Sequence, residues 1–225
     1  MMNGAVILAA GKGERMGNMD KVFIKLGQYP IVAYSLLAFE KCPDIDCIAL
    51  VTRQELIGKV QELVSSLSIT KPVFITAGGA RRQDSVMNGL NALPAEIDIA
   101  VIHDAARPLV TSELIALCVK SAINTGSGVA AKKLVDTIKE CDADGFAAKT
   151  LDRDRLCAVE TPQAFKADIL RDALKRVYDA GVSVTDDAGA IEFIGEKIHL
   201  VEWHKPNVKL TYAEDQRMIL ALLTD

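Results

Sequence analysis

With 225 residues, half of them apolar and a quarter charged, the chain has the size and composition of one α/β domain, which excludes a disordered or low-complexity polymer. Its 26 Lys and Arg against 30 Asp and Glu leave a net charge of −4, so no global basic field would draw in nucleic acid or an anionic membrane. A local cluster of Arg and Lys would still suffice for a small anionic ligand.

No run approaches the roughly 18 apolar residues of a membrane span. The N-terminal stretch MMNGAVILAAGKG has no basic n-region, which argues against a signal peptide. The cysteines number five, show no CxxC pairing and read as reduced thiols of a cytoplasmic protein. His103, His199 and His204 have no zinc-ligand spacing.

Short β-branched runs alternate with amphipathic segments, which predicts a mostly parallel sheet with helices on both faces. Ala5 to Ala10 is a continuous apolar run and reads as a central first strand. Ile48 to Thr52, Val73 to Thr76, Ile99 to His103 and Gly128 to Lys132 follow as further strands. Between them, residues such as Leu56, Val60, Leu63 and Val64 keep the spacing of a buried helix face. From Lys133 to Arg153 the pattern changes to two extended stretches around Asp144-Gly145, a hairpin-turn signal. Neither limb has a clean apolar face. A lone ribbon of this kind is marginally stable in water, so it is expected to lean on a partner subunit. A later helix carries Ile169, Leu170, Ala173, Leu174 and Val177 and ends at Gly181, while the last opens on a capping-box pattern, Thr211-x-x-Glu214. No repeat or Gly/Ser linker divides the chain. The expectation is a single domain over residues 1–225, with a β-arm subdomain at about residues 133–154.

The most informative stretch follows the first strand: LAAGKGERMGNMDK. A loop in that position lies at the carboxyl edge of the sheet, where α/β proteins bind ligands. The small residues Ala9, Ala10, Gly11 and Gly13 let backbone N–H groups approach a phosphate. A Walker A loop does not fit, because no Gly-Lys here is followed by Ser or Thr at the required spacing. The dinucleotide fingerprint fails too, since Met16 stands where it needs glycine and the second strand ends in Val51-Thr52 rather than an acid. Arg15 and Lys21 distinguish the loop. Two cations there suit a triphosphate under attack at phosphorus; the plain alternative is a tight turn with two solvated cations.

The loop resembles that of the nucleotidyltransferases that activate sugar and polyol phosphates on a Rossmann-like fold. GGARRQDSV (Gly78 to Val86), HDAARP (His103 to Pro108), VDT (Val135 to Thr137), TPQAF (Thr161 to Phe165), TDDA (Thr185 to Ala188) and NVKLT (Asn207 to Thr211) follow in the order seen in the 2-C-methyl-D-erythritol 4-phosphate cytidylyltransferase family. The resemblance runs from Ala5 to Leu223. It implies attack by a substrate phosphate oxygen on the α-phosphorus of CTP with loss of pyrophosphate. A phosphate monoester, with its second pKa of about 6, is already largely ionised at neutral pH, so no general base is needed. The reaction calls instead for cations, Mg²⁺ carried mainly by the CTP phosphates, and positioning.

By the same resemblance Arg15 and Lys21 stabilise the transition state. Ala9, Ala10, Gly11, Gly13, Gly79 and Ser85 line the CTP site, and Arg82 braces that loop. Asp104, Arg107, Thr137, Arg153, Thr161 and Lys209 hold the polyol phosphate acceptor. Lys209 orients the attacking phosphate, and Arg153 comes from the β-arm of the other subunit of a homodimer. The competing readings are an ordinary helix serine for Ser85, a loop ion pair between Asp104 and Arg107, a surface ion pair of Arg153 with Asp152 or Asp154, and a solvated lysine on a short strand for Lys209. His103 reads as structural, and Thr185, Asp186 and Asp187 as a helix cap. Two departures from the family pattern stand out: Asp20-Lys21-Val22 replaces Pro-Lys-Gln, and Glu160 replaces the glutamine common before TPQ. A ribitol 5-phosphate cytidylyltransferase is the alternative function. A nucleotide-binding protein without turnover is the third.

Overall fold

The computed structural model describes residues 1–11 and 23–224. Gly13, Arg15, Asp20 and Lys21 lie outside the described residues.

Seven strands form one sheet in the order β11-β7-β10-β6-β1-β4-β5. The strands are β1 (Asn3–Leu8), β4 (Cys47–Thr52), β5 (Val73–Ala77), β6 (Ile99–Asp104), β7 (Ser127–Lys133), β10 (Cys157–Lys166) and β11 (Leu200–Glu202). All pair in parallel except β10, which runs antiparallel to both β6 and β7. Outside this sheet, β2 (Lys25–Leu26) pairs with β3 (Tyr29–Pro30), and β8 (Lys139–Cys141) with β9 (Ala147–Thr150).

The alternation within β1 shows how the core divides. Ala5 and Ile7 face one layer with α1 (Ile31–Lys41), α2 (Ile57–Ser66) and α4 (Ser112–Thr125), through Leu36, Phe39, Val60, Leu114 and Cys118. Val6 faces the other layer with α3 (Arg82–Ala92), α5 (Ala167–Asp179) and α6 (Asp187–Phe193), through Val86, Leu90, Leu170, Leu174 and Ile191. Side chains of a strand point alternately to opposite faces, so an unbroken apolar run is what a central strand covered on both sides requires. A smaller cluster of Leu26, Ile31, Leu210 and Ile219 docks α7 (Asp215–Thr224) beside the β2–β3 hairpin.

Several expectations are corrected. The last helix begins at Asp215, and it is the Asp215 carboxylate, not Glu214, that accepts from the backbone N–H groups of Thr211 and Tyr212. Thr211 turns its hydroxyl to the Lys209 carbonyl instead. The cap of α6 is Asp186, whose side chain accepts from Gly189 N–H, rather than Thr185. Lys209 sits in an irregular segment, not a strand, tied down by the bond from Leu210 N–H to the Ala106 carbonyl. In the ribbon, Thr137 precedes β8 and Arg153 opens a 3-10 turn after β9, so both flank the paired limbs instead of lying on them.

Candidate active site

The strand order reverses around β1: the connection through α1 leads to β4 on one side, while β6 lies on the other. Open α/β sheets bind ligands in the crevice at such a switch point, outside the carboxyl ends of the strands. The chain leaving β1 is pinned there by Ala9 N–H to the Val51 carbonyl at 2.7 Å, and next to it Ala105 N–H bonds the Leu8 carbonyl at 3.0 Å. Ala9 is buried, Ala10 half-buried and Gly11 exposed.

The Gly78-Gly79 turn after β5 closes against this loop. A Cβ on Gly78 would lie 2.6 Å from the Ala10 Cβ, and one on Gly79 would lie 2.4 Å from the Asp84 Cβ, so neither position has room for a side chain. Ser85 locks the turn: its hydroxyl accepts from Gly79 N–H at 3.0 Å and reaches the Arg81 carbonyl at 3.2 Å. The structure therefore brings Ala9, Ala10, Gly11, Gly79 and Ser85 to one edge, with Ser85 engaged in holding backbone.

Asp104, the last residue of β6, is the electrostatic centre. Its two carboxylate oxygens take different cations: Arg82 Nη2 at 3.3 Å on Oδ1 and Lys209 Nζ at 2.5 Å on Oδ2. Burial would push the Asp104 carboxyl up, but Arg82 and Lys209 outweigh it and hold the group well below the usual carboxylate range. Arg82 also reaches Asp187 at 2.8 Å. Despite its burial, the guanidinium is held above its ordinary value by the charges of Asp187 and Asp104. Asp187 is itself buried, and that burial pushes its carboxyl up against the pull of Arg82. Lys209 keeps 40% of its side chain exposed against 13% for Asp104, so of the pair the lysine is the more open to a ligand.

A second set of contacts holds the β6–α4 turn. The pairing of β10 with β7 is interrupted between Val159 and Gln163, around the cis Thr161-Pro162 peptide, and such breaks re-aim side chains. The Thr161 hydroxyl accepts from Asp104 N–H at 3.1 Å and lies 3.1 Å from His103 Nδ1. His103 Nε2 is 3.3 Å from the Arg107 carbonyl. These contacts are mutually consistent for a neutral imidazole protonated at Nε2, with the threonine donating to Nδ1. Burial pushes the His103 imidazole down to about 3.

Arg107 does not pair with Asp104, as the loop ion-pair reading would have it. Its Nη1 donates to the Asn207 carbonyl at 2.7 Å and lies 3.7 Å from the Glu160 carboxylate. Burial draws the guanidinium down, countered first by Glu160 and then by Asp104.

Thr137 and Arg153 are not brought to this crevice within the described chain. Both are exposed, and the Arg153 guanidinium donates to the Val135 carbonyl across the base of the arm. Asp187 and Asn207 belong to the site's framework, although the sequence reading gave one only a capping role and the other none. The hint for Asp187 was its second place in a double acid: one carboxylate suffices to cap a helix, which leaves the next free for another partner.

Among the described residues, no group of three or more His, Cys, Asp or Glu side chains is placed to hold a metal ion. The Asp104 carboxylate is already taken up by Arg82 and Lys209. The described residues therefore do not fit a protein-held cation site.

A doubly flanked, mostly parallel sheet with Asp104, Arg82 and Lys209 gathered at its carboxyl edge agrees with the nucleotidyltransferase class that the relatives define. Residues 4–225 match the family model described as 2-C-methyl-D-erythritol 4-phosphate cytidylyltransferase. The chain is 42% identical to the enzyme of that name from Dehalococcoides mccartyi, over 98% of this chain and 95% of that protein. It is 39% identical to the one from Clostridium tetani, over 95% of this chain and 87% of that protein. A crystal structure of 4-diphosphocytidyl-2C-methyl-D-erythritol synthase from Anaerococcus prevotii matches with a TM-score of 0.89 at 26% identity, covering 100% of this chain and 96% of the other. The cytidylyltransferase structure from Thermus thermophilus matches with a TM-score of 0.81 at 25% identity, covering all of both chains. The chain belongs to the 2-C-methyl-D-erythritol 4-phosphate cytidylyltransferase family.

Proposed function

We propose that this protein transfers the cytidylyl group of CTP to 2-C-methyl-D-erythritol 4-phosphate and releases pyrophosphate, a step of non-mevalonate isoprenoid precursor synthesis. The observation that carries this reading is the junction of Lys209, Asp104 and Arg82 beside Thr161 and Arg107, at the mouth of the loop after β1. Ala9, Ala10, Gly11 and Gly13 after β1 and Gly79 after β5 line the CTP site, with Ser85 fixing the second turn by accepting from Gly79 N–H. Asp104 accepts from acceptor hydroxyls, Arg107 and Thr161 line the acceptor, and Lys209 orients its phosphate oxygen in line with the α-phosphorus. Arg15 and Lys21 stabilise the charge that builds there. Mg²⁺ enters as part of the nucleotide substrate, bound through the CTP phosphates.

The working unit in this reading is a homodimer in the cytoplasm, each chain one catalytic domain with an arm, and Thr137 and Arg153 serve the neighbouring subunit's site. Support comes from the arm itself: Val135 and Phe146 are about three-quarters exposed there, a poor arrangement for a ribbon in water. No helix of the described residues is long and apolar enough to cross a membrane.

The test is pyrophosphate release from CTP and Mg²⁺ with methylerythritol phosphate and ribitol phosphate in parallel. Release with the first alone is expected. Release with the second alone would keep the chemistry and change the acceptor; no release with either would leave a nucleotide-binding protein.

A further inference from the structure

The ion-paired side chains of the crevice can be counted. Among the described residues, Arg82, Arg107 and Lys209 are three cations, and Asp104, Glu160 and Asp187 are three carboxylates, joined by the pairs Arg82–Asp187, Arg82–Asp104, Lys209–Asp104 and Arg107–Glu160. This set of described residues sums to zero, which leaves this side of the crevice without a surplus cation for a phosphate.

Glu160 decides that balance, and its placement is specific. It projects from the interruption of β10, directly before Thr161, with 15% of its side chain exposed. Its Oε2 accepts from Asn207 Nδ2 at 2.8 Å, while Oε1 faces Arg107 Nη1 at 3.7 Å. Asn207 closes the group: its amide also donates to the Thr161 carbonyl at 2.8 Å, and its own carbonyl accepts from Arg107 at 2.7 Å. Arg107 Nη1 is thus held by the Asn207 backbone carbonyl and faced by the Glu160 carboxylate.

We infer that Glu160 is a specificity-determining residue that cancels the charge of Arg107, so that Arg107 acts in the acceptor pocket as a directed hydrogen-bond donor and not as a phosphate-binding cation. An unpaired guanidinium attracts any phosphate that enters, because the attraction between unit charges is long-ranged and weakly dependent on direction. Hydrogen bonds to acceptor hydroxyls depend on geometry, and a site built around them rejects compounds that lack the matching group. Glu160 trades general phosphate affinity for discrimination between acceptors. This inference rests on the proposed acceptor role of the crevice.

Glu160→Gln adds one positive charge and keeps an oxygen for Asn207 Nδ2. The probe is inorganic phosphate, assayed as an inhibitor competitive with the acceptor at saturating CTP. The expected result is a three- to tenfold lower inhibition constant in E160Q, with the KM for CTP within twofold of the parent. The double variant R107M/E160Q, neutral again, should return the phosphate inhibition constant to within twofold of the parent. Unchanged phosphate inhibition in E160Q would overturn the inference. So would a weaker phosphate interaction together with a raised acceptor KM, which would make Glu160 only a brace for Arg107. Glu160→Ala makes the same charge change and replaces E160Q if that variant does not fold. Turnover of the parent enzyme with its acceptor is read in the same assay, so failure of the acceptor assignment shows before any variant is compared.

Discussion

At the scale of the residue, His103 links burial to pH. In the unfolded chain an imidazole titrates near 6.5, whereas in the fold burial pushes it down to about 3. The unfolded state therefore takes up the proton first. The stabilising contribution is complete above about 6.5 and is lost as pH falls through the interval towards 3. At pH 5 the loss amounts to about 2 kcal/mol, from 1.36 kcal/mol per unit. Urea unfolding at pH 7 and pH 5 should show it, and a His103→Gln variant should lose less stability over the same interval. Equal losses in both proteins would remove His103 as the cause. Asp104 has the same sign in a more acidic window: its depressed carboxyl contributes above the usual carboxylate range and loses that contribution as pH falls below it. The acid sensitivity thus comes from two adjacent residues, one buried and neutral and one half-buried and charged, at the end of a single strand.

At the scale of the element, the arm separates local stability from function. It is held by the β8–β9 pairing, by Asp142, which accepts from Asp144 and Phe146 N–H groups across the turn, and by the Arg153 contact at its base. Gly145 occupies the turn with φ of 87°, where a side chain would be strained. Arg153→Ala should raise the acceptor KM by about tenfold while the KM for CTP stays within twofold, because in the proposed dimer the arm serves the acceptor side alone; a loss of CTP affinity instead would place the arm elsewhere. The ribbon was legible in the sequence because an Asp-Gly turn between extended runs is a local signal. The parallel strands were legible because an apolar run needs no knowledge of its partner. By contrast β10 was hidden: Pro162 argues against a strand when read locally, and only its antiparallel neighbours β6 and β7 provide the pairing around it. The ion-pair set was equally opaque, since Asp104 and Lys209 meet across 105 positions. Motif resemblance named both residues as acceptor ligands, yet only the fold showed that they bind each other.

At the scale of the whole molecule, the proposed homodimer would cover the exposed Val135 and Phe146 of the arm with a second copy. Light scattering should return twice the 24.3 kDa of the chain, and deletion of residues 139–150 should return a single chain mass. A parent protein that elutes as one chain would remove the cross-subunit role of Arg153. Why the arm leaves the body where it does follows from one reversal of direction. A parallel strand reaches the ligand edge with its last residues and can offer only what comes after it. Running the other way, β10 enters that edge with its first half, so whatever precedes it has already been outside the molecule. Arg153 and Thr161 lie eight positions apart, and the 3-10 turn at Arg153–Arg155 keeps their span below the about 26 Å of a fully extended chain. In the proposed homodimer, a single inverted strand thereby gives one polypeptide two addresses, its own crevice and that of its neighbour.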